Sequence, residues 1–150
     1  MSGKLRRSIG IPPLTVLGLA ALGVPRVVAH DLSLVGPLVN GLLVFVPIAI
    51  WIAYVLWKRV PNPFVTLLAV GVVYGVLLGV THQILWTEGF ASDPPRLGGN
   101  LAGALPPAVE ALVLRIFAFG SSLFTGALMG AGTGAAGWLL ARLVPAFRPQ

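Results

Sequence analysis

The sequence predicts an all-α fold, an integral membrane bundle of four transmembrane helices. The first observation is composition. The 150 residues are 57% hydrophobic and 9% charged, whereas charged residues make up about 25% of an ordinary soluble domain. The second is segment length, because a membrane core of about 30 Å is crossed by about 20 helical residues. Four stretches without Lys, Arg, Asp or Glu reach or approach that length: residues 8–25, 32–57, 60–87 and 116–141.

The third observation is the recurrence of glycine at every fourth position in two of these stretches. In water, each glycine inside a helix costs about 1 kcal/mol relative to alanine, but in lipid a GxxxG stripe lets helix backbones pack closely. We therefore predict that the third and fourth helices pack through a glycine zipper, either against each other or across a homo-oligomer. The packing residues are Gly71, Gly75, Gly79, Gly126, Gly130 and Gly134.

The first helix is predicted over residues 12–24, followed by an outer connector at 27–36. Two prolines at its start suit a first helical turn, where the missing N–H has no partner to lose, and Pro25 is expected to end it. An alternative interpretation is a secretory signal peptide, because a basic start and a short apolar run precede Val27-Val28-Ala29. Cleavage after Ala29 would leave three spans, and we favour retention of the segment.

The second and third helices are predicted over residues 37–57 and 64–86. Pro37 begins the second helix, and Pro47 within it predicts a kink because it cannot donate its backbone hydrogen bond. The short turn between the two helices contains two prolines, which predicts an antiparallel hairpin. Trp57 and Trp86 lie where aromatic side chains anchor a helix at the two membrane interfaces.

An outer loop at residues 87–106 precedes a long fourth helix at 107–143. Loops of this length are commonly functional or disordered, and this one is interpreted either as a lid over the bundle or as a plain surface loop. Glu110 is expected in the first turn of the fourth helix, where a carboxylate interacts favourably with the helix dipole. The full length of this fourth helix exceeds the thickness of a membrane.

The distribution of charge predicts the topology. If the amino terminus is cytoplasmic and all four segments cross, three basic residues lie outside, Arg26, Arg96 and Arg115. Seven then lie inside: Lys4, Arg6, Arg7, Lys58, Arg59, Arg142 and Arg148. This imbalance follows the positive-inside rule. We therefore predict a multi-pass protein of the cell membrane with both termini in the cytoplasm.

Several kinds of chemistry are excluded or unsupported by the sequence. The chain contains no cysteine, which excludes disulfides, thiolate metal sites and cysteine nucleophiles. The net charge of +6 is scattered over short loops, so it predicts topology and not nucleic-acid binding. No serine-hydrolase elbow, phosphate loop or His-Glu-x-x-His motif is present. We therefore predict no catalytic residue and assign no cofactor.

Five ionisable residues are predicted to lie in the outer third of the bundle. His82 follows Gly79 by three positions and should face protein, and an ionisable residue within a span is a functional candidate by default. This candidate polar cluster admits mutual neutralisation, proton or cation passage, or binding of a metal ion or haem, although no compact ligand motif is present. Its members are His30, Asp31, His82, Glu110 and Arg115.

Three functional hypotheses follow from these features. A structural or accessory subunit of a larger membrane complex is favoured, because the interior offers few polar residues. A small transporter or channel is the alternative, with a path along His82 and a seam at Asn40, Pro47 and Tyr54, which recur every seven positions. A haem- or metal-binding membrane protein is third. The expected partners are the lipid bilayer and further copies or subunits.

Overall fold

The computed structural model describes residues 8–91 and 93–149, in which regular secondary structure is entirely helical. The long helices of this region provide four segments that are apolar enough to cross a membrane. The all-α membrane bundle is therefore confirmed. Its α-helices are α1 (Pro13–Ala21), α2 (Val24–Asp31), α3 (Pro37–Trp57), α4 (Pro63–Ile84), α5 (Trp86–Gly89) and α6 (Pro107–Leu143), with single 3-10 turns at Gly99–Leu101 and Pro145–Phe147.

Proline begins each of the long helices. Pro13, Pro37, Pro63 and Pro107 are the first residues of α1, α3, α4 and α6, positions where proline loses no hydrogen bond and its fixed φ suits the helix. The start of α4 is also capped, because the backbone N–H of Val65 donates to the side-chain oxygen of Asn62. These local signals explain where the helices begin without reference to tertiary contacts.

The first span differs from the expectation. Helix α1 ends at Ala21, and after a two-residue turn the chain continues as α2 to Asp31. Pro25 therefore lies in the first turn of α2 and does not terminate the span, and much of the predicted connector is helical. The turn is closely packed, since a Cβ on Gly23 would lie 2.5 Å from the Tyr74 ring. One consequence is that Arg26, expected outside the membrane, lies within the candidate span Pro13–Asp31.

Helices α4 and α6 form the centre of the bundle, and their glycine stripes lie face to face. A Cβ on Gly71 would collide with the backbone of Gly126 and Gly130, and one on Gly75 would lie 2.9 Å from the carbonyl oxygen of Ser122. The same pattern continues at Gly134, which lies against the backbone of Phe64. Side chains are thus absent where the two backbones meet, as in close packing of helices in lipid. The stripes meet within one chain.

The remaining helices pack around this pair. Trp51 of α3 is buried and donates a hydrogen bond from its indole nitrogen to the carbonyl oxygen of Leu19 at 2.6 Å. Thr66 of α4 is fully buried and donates to the carbonyl oxygen of Ile9 at 2.7 Å. Each bond gives a buried polar side-chain group a hydrogen-bond partner, without which its burial in an apolar environment costs free energy. They hold the first segment against α3 and α4.

The two ends of the bundle are formed by different segments of the chain. Ile9, the turn around Asn62 and Arg142 at the end of α6 lie together at one end, which we call the turn end. His82, the loop 93–106 and the start of α6 lie toward the other, which we call the loop end. The first and last described segments of the chain therefore meet at the turn end.

Substitution of a buried stripe glycine tests the central contact. We expect Gly126→Val to lower the free energy of unfolding by about 1–3 kcal/mol or more, because the new side chain forces α4 and α6 apart. Gly132→Val is the matched control in the same helix, since a Cβ there meets no atom within 4 Å. Unfolding in mixed micelles measures both variants. Equal loss of stability in the two variants would contradict the assigned interface.

Candidate functional site

Asp31 at the end of α2 lies between two histidines. The Nδ1 atom of His82 is 2.6 Å from Oδ2 of Asp31, and Nδ1 of His30 is 3.3 Å from Oδ1. An ionised carboxylate only accepts hydrogen bonds, so each imidazole that binds it donates through a protonated Nδ1. The Asp31 side chain is 12% exposed, against 33% for His82 and 59% for His30. The shorter contact is therefore also the less hydrated one.

The local fold explains why these residues meet. Val27 lies one helical turn before Asp31 and is almost completely buried, and residues four apart in a helix share a face. Burial of Val27 therefore turns Asp31 toward the protein. His82 lies in the last turn of α4, and α2 packs against α4. Two helix ends at the loop end thus bring a carboxylate and an imidazole from distant parts of the chain into contact.

The other two members of the predicted cluster lie apart from Asp31. Glu110 accepts a hydrogen bond from the backbone N–H of Leu97 at 2.7 Å, which ties the outer loop to α6. Arg115 donates to the side-chain oxygen of Gln83 at 3.1 Å, and its guanidinium lies over the Trp86 ring. Among the described residues Arg115 is ion-paired with neither Asp31 nor Glu110, and its guanidinium binds the Gln83 side chain instead. Of the five predicted residues, His30, Asp31 and His82 therefore lie together. Glu110 and Arg115 make separate hydrogen bonds elsewhere.

Arg26, expected outside the membrane from the distribution of charge, is a further candidate functional residue. It lies five residues before Asp31 in α2, about 7.5 Å along the helix axis. Its guanidinium lies beside the side chain of Tyr74, while its buried Nε atom has no hydrogen-bond partner. The available sequence signal was that the helix can restart at Pro25, which extends the first span beyond Arg26.

Two pockets adjoin at Arg26. The inner pocket has a volume of about 190 Å³ and the outer pocket about 410 Å³, and Arg26 and Thr125 line both. The remaining walls of the inner pocket are formed by Gly23, Leu43, Val44, Pro47, Ile48, Trp51, Tyr74 and Met129. Those of the outer pocket are formed by Leu78, His82, Trp86, Phe90, Phe117, Ala118, Ser121 and Ser122. The outer pocket therefore connects the His82 region with the level of Arg26.

The predicted polar seam of the second span is divided. Pro47 is buried and lines the inner pocket. Asn40 lies two turns nearer the loop end, and its buried side-chain oxygen has no hydrogen-bond partner. Tyr54 is two turns nearer the turn end, where its ring packs edge-on against Trp57. The three residues thus do not line one continuous path.

In the described part of the chain the two histidines are arranged around a carboxylate and not as ligands of a metal ion. Both imidazoles direct Nδ1 toward the same carboxylate, which is an arrangement that orients and neutralises the three groups. Within residues 8–91 and 93–149, no group of three or more His, Asp or Glu side chains is placed to hold a metal ion. The arrangement can instead exchange a proton between carboxylate and imidazole.

Comparison with known proteins adds no assignment. The chain has no significant match among protein families, curated proteins or solved structures. Its four apolar helices nevertheless show a multi-pass membrane protein in contact with the lipid bilayer. Any more specific function is therefore argued from the pockets and the polar residues around them.

The Asp31 contacts have a measurable effect on stability. We expect Asp31→Ala to lower the free energy of unfolding by about 1–3 kcal/mol, because it removes a charge-assisted hydrogen bond from a partly buried imidazole. Asp93→Ala, in the exposed loop, is the control and should be neutral. Unfolding of both variants in mixed micelles provides the comparison. A wild-type stability for Asp31→Ala would show that the His82 contact contributes nothing.

Proposed function

We propose that the protein is a small transporter whose substrate enters the outer pocket at the loop end, beside the His82–Asp31 pair. The observation that carries this proposal is the position of Arg26 on the walls of both pockets. An ionisable residue inside a membrane span that faces a cavity marks a substrate or ion path by default. The two pockets thus give such a path both an entrance and a charged binding position.

The depth of the pocket walls supports this proposal. Tyr74 lies ten residues before the end of α4, which places the inner pocket about 15 Å below the loop end. Transporters bind their substrates near the middle of the bilayer. Toward the turn end, the buried side chains of Val55, Leu67 and Val70 fill the space between the helices. One side of the site is therefore open and the other closed, as alternating access requires of a resting state.

The same geometry supports a cytoplasmic turn end. Four basic residues lie at the turn end, where Lys58 and Arg59 follow α3, Arg142 lies in the last turn of α6 and Arg148 follows it. Arg96 and Arg115 lie toward the loop end. Arg26 no longer counts as an outer residue, which strengthens the imbalance required by the positive-inside rule. In this orientation both termini are cytoplasmic and the outer pocket opens to the outside of the cell membrane.

An accessory subunit remains a second candidate because of the outer part of α6. This helix starts eight residues before Arg115, which contacts the last turn of α4, so it extends about 12 Å beyond its partner. Val109, Leu112 and Val113 on this extension are 40–58% exposed. Exposed apolar side chains grouped on a projecting element favour contact with another protein, either a second copy of this chain or a different subunit.

Transport is tested in proteoliposomes with small anions, cations and neutral solutes, applied from either side. We expect protein-dependent flux of at least one class, reduced about tenfold or more by Arg26→Gln and by His82→Ala, because both side chains line the outer pocket. Arg96→Gln, in the exposed loop, should retain full flux. Absence of flux across the whole panel in correctly folded protein would refute the proposal.

The accessory role is tested by affinity purification from native membranes. If the α6 extension binds a partner, Leu112→Glu should release it while leaving the thermal stability of the isolated chain unchanged, because Leu112 is 58% exposed. Arg96→Glu in the loop is the control, because Leu128→Glu would place a charge in lipid. Recovery of a partner-free monomer from native membranes would count against this candidate.

A further inference from the structure

The charge of Arg26 is not matched by a carboxylate in the described part of the chain. The ion pairs found there join Asp31 to His30 and His82, and Glu110 is occupied by the outer loop. The neighbouring Tyr74 offers only a hydroxyl, which does not neutralise a guanidinium. A cation within a membrane span is costly unless it is paired or hydrated. Arg26 therefore lacks an anionic partner that would neutralise its charge within the described part of the chain.

The surroundings of Arg26 select the charge of a ligand. Among the described residues, no Asp or Glu lines either pocket. The side chains available at the junction are the Arg26 guanidinium and the hydroxyls of Tyr74 and Thr125, and all three can donate a hydrogen bond. A cation would be repelled there, and a neutral group would leave the charge unmatched. An oxyanion satisfies all three groups, and guanidinium is the side chain best suited to bind one.

The inner pocket selects the rest of the ligand. Beyond Arg26 its walls are mainly apolar, with Leu43, Val44, Ile48, Trp51 and Met129 in contact with the space. Its volume of about 190 Å³ is below the range of about 300–1,000 Å³ usual for drug-sized ligands. The space thus accepts a short apolar chain or ring, and it is too small for both acyl chains of a phospholipid.

We propose that Arg26 binds the carboxylate of a short amphiphilic acid, whose apolar body occupies the inner pocket. The proposal rests on the proposed function for the role of the pockets, and it names the substrate class of that same site. Free acids and anionic lipid headgroups share the oxyanion that Arg26 would recognise. The small volume of the inner pocket favours the free acid.

Equilibrium binding tests this inference without requiring flux. Octanoate is titrated calorimetrically into the protein in nanodiscs of neutral phosphatidylcholine. Three further probes are compared with it: octanol lacks the charge, octylammonium carries the opposite charge, and acetate lacks the apolar chain. We expect saturable binding of octanoate alone. Arg26→Gln should weaken it about tenfold or more, equivalent to about 1.4 kcal/mol, and Arg26→Lys should weaken it less. Arg96→Gln should bind as the wild type.

Each result decides the question. The proposal is overturned if octanoate and octanol bind equally, or if Arg26→Gln binds octanoate as the wild type does. It is also overturned if octanoate does not bind in neutral nanodiscs and phosphatidylglycerol is not retained in an Arg26-dependent way. Retention of phosphatidylglycerol by the wild type but not by Arg26→Gln would support the oxyanion site with a lipid headgroup as its source. Tyr74→Phe, which preserves the ring beside Gly23, provides a second variant if Arg26→Gln does not fold, and it should also weaken octanoate binding.

The outcomes of the two proposals are distinguishable. Arg26-dependent octanoate binding without flux of any solute would support the site and refute transport. Flux of a cation or neutral solute without octanoate binding would support transport and refute the amphiphilic acid. Folding of every variant is checked by its thermal unfolding midpoint before either measurement.

Discussion

The close approach of α4 and α6 is the constraint on which the rest of the structure depends. Where Gly71 faces Gly126 and Gly130, any side chain on either helix would collide with the opposite backbone. Lipid gives no hydrophobic drive toward helix association, so contact between backbones supplies the packing that holds such a pair. The length of this contact aligns the last turn of α4 with Arg115 of α6. That alignment determines where the loop end begins and which residues can line a pocket there.

The pockets arise because the other helices pack less completely against this pair. A bend at Leu22–Gly23 accommodates the Tyr74 ring and carries the chain onward as α2. This bend leaves space between α2, α3 and the central helices, and Arg26 enters that space from one side. The Asp31 carboxylate is taken by two imidazoles a turn and a half away, so it does not neutralise Arg26. A charged cavity inside a largely apolar bundle is the result.

Local signals in the sequence predicted much of the fold, whereas the site depended on distant contacts. The prolines at the starts of α1, α3, α4 and α6 act on their own residues, and the glycine stripes imply a facing backbone wherever it comes from. The position of Arg26 was different. A charge after Pro25 ordinarily ends a span, and only the bend at Gly23 against Tyr74, a contact across 51 positions, allows the helix to restart. The partner of Arg115 was likewise unpredictable, because Gln83 carries no charge to suggest it.

The unequal burial of the helices also has a consequence for how this chain tolerates change. Helix α3 has a smaller share of buried residues than α4, and it lines the inner pocket between Leu43 and Trp51. Substitutions at the partly exposed positions Leu43, Val44 and Ile48 therefore alter the shape of the cavity while sparing the contact between α4 and α6. Selection can reshape what the cavity accepts through one helix and preserve the scaffold in another. The shape of the cavity and the central packing contact are in this way encoded in largely separate parts of the same short polypeptide.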